Sequence, residues 1–160
     1  MLSNTSPNAG NDKNEEKIYD SGFKMKPKIL IADDDCDDTD FVTDVLKSIS
    51  PDYIVWCFDN PPKAYNFLDE LSDEELPCLI IIDFNLPPEN GLAMLNRLKS
   101  MNRLETIPKV IYSGHLSPAE QEMCIQAGAV SCIQKSCSLD EVRKDVMSML
   151  ALSNYKRDKF

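Results

Sequence analysis

Long apolar runs are missing from this 160-residue chain. No stretch of about 18 apolar residues occurs, so no membrane-spanning helix is expected. The N-terminus also lacks the basic-then-apolar layout of a secretory signal. Basic residues are scarce: 17 Lys and Arg stand against 27 Asp and Glu, a formal net charge of −10. That balance argues against a protein built to coat nucleic acid. The six cysteines, Cys36, Cys57, Cys78, Cys124, Cys132 and Cys137, contain no Cys-x-x-Cys pair, which disfavours zinc and thioredoxin-like chemistry. Cys57, Cys78 and Cys132 lie in apolar runs and are expected to pack as small hydrophobes. Unpaired thiols in a chain of this size favour a reducing cytoplasm, although the even count leaves pairing open.

What is present suffices for one domain, with 42% hydrophobic residues. Residues 1–25 are polar and aperiodic and are expected to form a flexible N-terminal tail, with Ile18, Tyr19 and Phe23 as apolar handles through which part of it could dock. Beyond them, short apolar runs alternate with helical patterns five times. Lys28–Ala32, Tyr53–Phe58, Cys78–Ile82, Ile107–Gly114 and Val130–Gln134 read as strands. The first helix is predicted over 39–49, with apolar residues at 41, 42, 45, 46 and 49. Acids at 37, 38 and 40 suit the positive end of its dipole. Further helices follow Pro61-Pro62 (stripe Ala64, Phe67, Leu68, Leu71) and Gly91 (Leu92, Leu95, Leu98). Another follows Ser117-Pro118 (Ala119, Met123, Cys124, Ala127), and the last follows Ser138 (Leu139, Val142, Val146, Met149, Leu150). This alternation implies parallel strands joined by right-handed crossovers, with helices on both faces. One doubly wound α/β domain is expected over about 26–152, followed by a short tail at 153–160. No output domain is expected after it.

The chain is organised around Cys78–Gly91, where five apolar residues run straight into Asp83. A run without polar alternation fits a strand covered on both faces. In an open parallel sheet the chemistry lies beyond the strands' carboxyl ends. Those ends carry Asp33-Asp34, Asp83, Ser113 and Lys135. Three carboxylates brought together favour a divalent cation, and magnesium prefers such oxygen ligands. Asp34 and Asp83 are the expected direct ligands, with a backbone carbonyl near Asn85, and Asp33 acting through water. A carboxylate beside such an ion can attack phosphorus. Lys135 and Ser113 would then meet two further phosphoryl oxygens.

In Asp33-Asp34, Asp83-Phe84-Asn85-Leu86-Pro87 with Gly91, Ser113-Gly114 and Lys135, the chain resembles the receiver domain of two-component response regulators. The resemblance implies a flavodoxin-like, five-stranded parallel sheet of order 2-1-3-4-5. It implies Asp83 as phosphoacceptor, Ser113 as switch hydroxyl, and Asp33, Asp34 and Asn85 as residues of a magnesium (or manganese) site. It also implies a histidine kinase or phosphotransfer protein as partner, and a contact face on the fourth helix, fifth strand and fifth helix. Two positions depart from the family pattern. Ser136 replaces the usual proline after the lysine, so the Lys135–Ser136 bond is expected to be trans. Cys132 replaces the usual aromatic, leaving Tyr112 and His115 as nearby candidates for transmitting the signal.

Other readings have less support. A calcium loop starting at Asp33 would need Gly at 38 and Glu at 44, where Asp38 and Asp44 stand. Asp35-Cys36-Asp37-Asp38-Thr39 looks like the Asp-x-Asp-x-Thr of haloacid-dehalogenase-type phosphatases, but leaves Asp83 unexplained. A receiver-fold binding module that works without phosphorylation is the main alternative. His115 reads as an exposed loop residue and Trp56 as packing. Cys36 and Cys137 flank the site and could be redox-active.

Overall fold

The computed structural model describes residues 25–155. Of the two expected tails, 1–25 and 153–160, residues 1–24 and 156–160 lie outside the described residues. Five strands, β1 (Lys28–Ala32), β2 (Ile54–Phe58), β3 (Leu79–Ile82), β4 (Lys109–Ser113) and β5 (Ser131–Gln134), alternate with five helices. These are α1 (Cys36–Ile49), α2 (Pro61–Glu70), α3 (Gly91–Lys99), α4 (Pro118–Gln126) and α5 (Leu139–Leu152). All strand pairs are parallel, and the sheet order is β2-β1-β3-β4-β5, the doubly wound α/β arrangement expected.

Side chains alternate across the pleat and feed two cores. Leu30, Ile80, Ile82 and Ile111 pack with Ala64, Leu68, Leu95, Leu98 and Cys124 under α2, α3 and α4. Ile29, Ile31, Ile81, Val110 and Tyr112 pack with Val42, Leu46, Val142 and Val146 under α1 and α5. Every residue of β3 and β4 is buried, which accounts for the wholly apolar β3 and for the apolar centre of β4 between Lys109 and Ser113.

Local chemistry sets the helix ends. The Asp35 carboxylate accepts the backbone N–H groups of Asp37 and Asp38 and starts α1 at Cys36, three residues earlier than the apolar period suggests. Asn60 caps α2, and Ser117 caps α4 through a reciprocal box with Glu120. Gly128, at φ 109°, turns the chain after α4. The Lys135–Ser136 bond is trans, as expected; among the described residues only Pro87–Pro88 is cis.

Several packing expectations fail, and for one reason: position in the layers outranks periodicity. Ala119 and Met123 of α4 face solvent, leaving Cys124 as the helix's buried residue. Leu139, in the first turn of α5, and Phe41 of α1 are exposed at the ends of their stripes. Cys57 is exposed because β2 is an edge strand. Trp56 packs edge-on against Phe67 of α2, in keeping with its reading as a packing residue.

The six thiols are free. Burial pushes the Cys124 thiol up to about 11, and its side chain is fully covered. Under native conditions near pH 8, peptide mass mapping after maleimide treatment should find Cys36 and Cys137 modified first. Cys124 should react only on unfolding. Early modification of Cys124 would contradict the packing of α4.

Candidate functional site

Four consecutive strands, β1, β3, β4 and β5, deliver the four polar positions to one edge of the sheet. The ladder continues one residue past each strand and fixes these positions. Asp33 N–H donates to Phe58 O (3.0 Å), Asp83 N–H to Ala32 O (2.8 Å) and Lys135 N–H to Ser113 O (2.8 Å). Gly91 presses against the far side of the Asp83 peptide. A Cβ there would stand 2.7 Å from Asp83 O and 2.9 Å from Phe84 Cα. The glycine is required for this close approach.

The Lys135 ammonium is the hub. It donates to Asp33 Oδ2 at 2.7 Å, Asp38 Oδ2 at 2.7 Å and Asp83 Oδ2 at 3.2 Å. The Asp33 and Asp83 side chains are 6% and 10% exposed and that of Asp38 is 42% exposed. The second oxygen of Asp33 accepts the Asp35 N–H, and that of Asp83 accepts the Asn85 N–H. Burial pushes the Asp33 carboxyl up, against the opposing pull of Lys135 and the Asp35 N–H. Burial alone would depress Lys135. Its hydrogen bonds to Asp33 and Asp38 and the charge of Asp83 overrule that, and its pKa is raised. The lysine is therefore held charged.

Asp33, Asp34 and Asp83 each offer a carboxylate oxygen within 4.8 Å of the others. Asp34 is exposed at the mouth of a cleft of about 460 Å³ that also takes in Asp83, Asn85 and Lys135. This donor set fits a hard divalent cation. Ser113 is 1% exposed, and its Oγ is the one buried side-chain polar atom among the described residues with no partner. Such an orphan stands out where nearly all buried polar atoms are satisfied.

The structure thus brings Asp33, Asp34, Asp83 and Lys135 together and places Ser113 at the end of the neighbouring strand β4, its carbonyl bonded to the Lys135 N–H. Sequence reasoning missed this part of Asp38, which it weighed as a dipole partner and within the calcium-loop and phosphatase-like patterns. The signal was its place four residues after Asp34 on α1, combined with the need of Lys135 for counter-charge. Tyr112 lies in the core under α1 and α5, donating to Asp145 Oδ2 at 3.0 Å, on the opposite sheet face from Cys132; His115 is exposed. Asp35, Cys36, Asp37 and Thr39 build the cap and first turn of α1: the Thr39 hydroxyl donates to Cys36 O. That leaves the phosphatase-like motif without a strand-end carboxylate.

Sheet order and strand-end chemistry define a class: a doubly wound domain with an acid–lysine cluster at the sheet's carboxyl edge. The family model of the response regulator receiver domain matches residues 29–147, and the chain belongs to that family. It is similar to the two-component response regulator ARR17 of Arabidopsis thaliana, 29% identical over 132 residues, covering 78% of this chain and 85% of that protein. It is also similar to ORR3 of Oryza sativa subsp. indica, 29% identical over 119 residues, covering 74% and 87%. Among solved structures, the phosphorylated cyanobacterial phytochrome response regulator RcpA superposes with a TM-score of 0.71 at 22% identity, covering 81% of this chain and 99% of that one. The Mn(2+)-bound form of response regulator Rcp1 superposes at 0.68 with 25% identity, covering 78% and 92%.

Proposed function

We propose that this protein is a single-domain response regulator, built on a receiver unit over about 26–152, that is phosphorylated on Asp83. The observation that carries this reading is the Lys135 hub. A largely covered, charged ammonium touches the Asp83 carboxylate while the orphan Ser113 hydroxyl stands at the neighbouring strand end. In the reaction an Asp83 carboxylate oxygen attacks the phosphorus of the donor, and the bond from phosphorus to its leaving group breaks. Lys135 pairs with one phosphoryl oxygen and Ser113 donates to another. Asp33, Asp34, Asp83 and the Asn85 backbone carbonyl would hold magnesium or manganese. When bound, the ion supplies charge neutralisation at the phosphoryl oxygens.

Receiver-domain response regulators are signalling proteins of two-component systems, and a histidine kinase or phosphotransfer protein is the donor that fits. Output through a protein contact or onward phosphoryl transfer suits the size of its relatives, since the match spans 85% of the Arabidopsis protein. Met123, Ile125 and Val130, each about half exposed, are the apolar surface of α4 and the approach to β5 available to such a contact. No helix among the described residues is long and apolar enough to cross a membrane, in keeping with a cytoplasmic place of action.

The test is intact mass after incubation with a small phosphodonor. One phosphoryl adduct is expected with magnesium and none with EDTA. No adduct, under conditions that label an authentic receiver, would favour a binding module that works without phosphorylation.

A further inference from the structure

Asp38 stands outside the set of carboxylates that converge on the cation site. Its carboxylate serves the lysine instead, at 2.7 Å, closer than Asp83 at 3.2 Å. An ammonium has three donors. Asp33, Asp38 and Asp83 take all three, so Lys135 has no donor left for an incoming phosphoryl oxygen.

One of these bonds must give way, and the structure indicates which. Asp33 is 6% exposed, and its other oxygen is engaged by the Asp35 N–H. Asp83 is the group being modified. Asp38 is 42% exposed on the first turn of α1 and can rehydrate at small cost. We propose that Asp38 is a placeholder for the phosphoryl group: it occupies the third donor of Lys135 in the unphosphorylated protein, yields it on phosphorylation, and so restrains the reaction. The proposal rests on Asp83 being the acceptor. With acetyl phosphate, the Asp83 carboxylate forms the new O–P bond and the acetyl O–P bond breaks. Acetate leaves with the electron pair, and no proton is required. Total charge is conserved with acetate as the leaving group, while residue 83 goes from one negative charge to about two, carried on phosphoryl oxygens that compete with Asp38 for Lys135.

The test uses the full chain as wild type, Asp38→Asn and Asp37→Asn. Asp37 lies in the same turn and is exposed, but makes no bond to Lys135, so its variant removes the same charge and spares the hub. Circular dichroism checks that both variants are folded. With magnesium and acetyl phosphate, Asp38→Asn should be phosphorylated roughly five- to tenfold faster than wild type. Asp37→Asn should stay within about twofold. A second readout needs neither metal nor phosphate. Modification of Lys135 by acetic anhydride, followed at its peptide, should speed up in Asp38→Asn alone, because Asp38 is one of the three partners that hold and cover the amine. If Asp38→Asn is no faster than Asp37→Asn in phosphorylation, or shows no gain in lysine modification, the placeholder role is overturned. If the wild type takes up no phosphoryl group, the acceptor reading fails instead. The lysine modification then decides by itself whether Asp38 holds Lys135.

Discussion

Asp83→Asn should leave the chain without an adduct under conditions that phosphorylate the wild type to completion. The amide is isosteric but carries no charge, and it is a poor nucleophile toward phosphorus. It also removes one of the three carboxylates that fit the cation. The fold should survive, because Lys135 keeps its two shorter bonds, to Asp33 and Asp38. Four carboxylates, Asp33, Asp34, Asp38 and Asp83, crowd one ammonium at this edge. Deleting one negative charge relieves repulsion, so the apparent melting temperature should be unchanged or higher. Loss of the adduct with retained stability separates chemistry from folding. A labelled Asp83→Asn protein would move the acceptor elsewhere.

Gly91→Val should be the most damaging small substitution near the site. Its φ is ordinary; the obstacle is space. The Cβ would meet backbone atoms at 2.7 and 2.9 Å, and backbone cannot swing aside as a side chain can. Relief requires α3 to move off the end of β3, breaking the 2.7 Å bond from Gly91 N–H to Phe84 O. Overpacking of this kind costs about 1–3 kcal/mol, a fall of roughly 5–10 °C in melting temperature. Phosphorylation by a small donor should slow as well, since the displaced peptide carries Asp83. Gly114→Ala is the matched control: nothing lies within 4 Å of its Cβ position, and its effect should stay within about 0.5 kcal/mol. Calorimetry on the three proteins settles the comparison; equal melting temperatures would show that α3 does not clamp the strand.

Much of this architecture was legible in the sequence because its signals were local. Ser117-Pro118 and Ser138 mark helix starts through caps and dihedral preference, and those starts hold. The unbroken runs of β1 and β3 identify central strands. Asp83 and Lys135 stand out as the polar residues that end apolar runs. Illegible features depended on what lies across a gap. The exposure of Met123 and Leu139 follows from where the sheet stops beneath α4 and α5, which helical periodicity does not contain. Cys57 looks like a core residue until β2 is known to be an edge. The part played by Asp38 exists only once β5 brings Lys135 to it, 97 positions away in the chain.

That separation has a bearing on synthesis. The lysine is made 102 residues after Asp33 and 52 after Asp83. At about 5–20 residues per second, the 52 residues from Asp83 to Lys135 take roughly 3–10 s, an interval in which the acids have been made and the lysine has not. During that time Asp33, Asp38 and Asp83 lack the ammonium that all three share in the finished fold. An unfinished chain on the ribosome therefore lacks the complete acid–lysine cluster until β5 has been made.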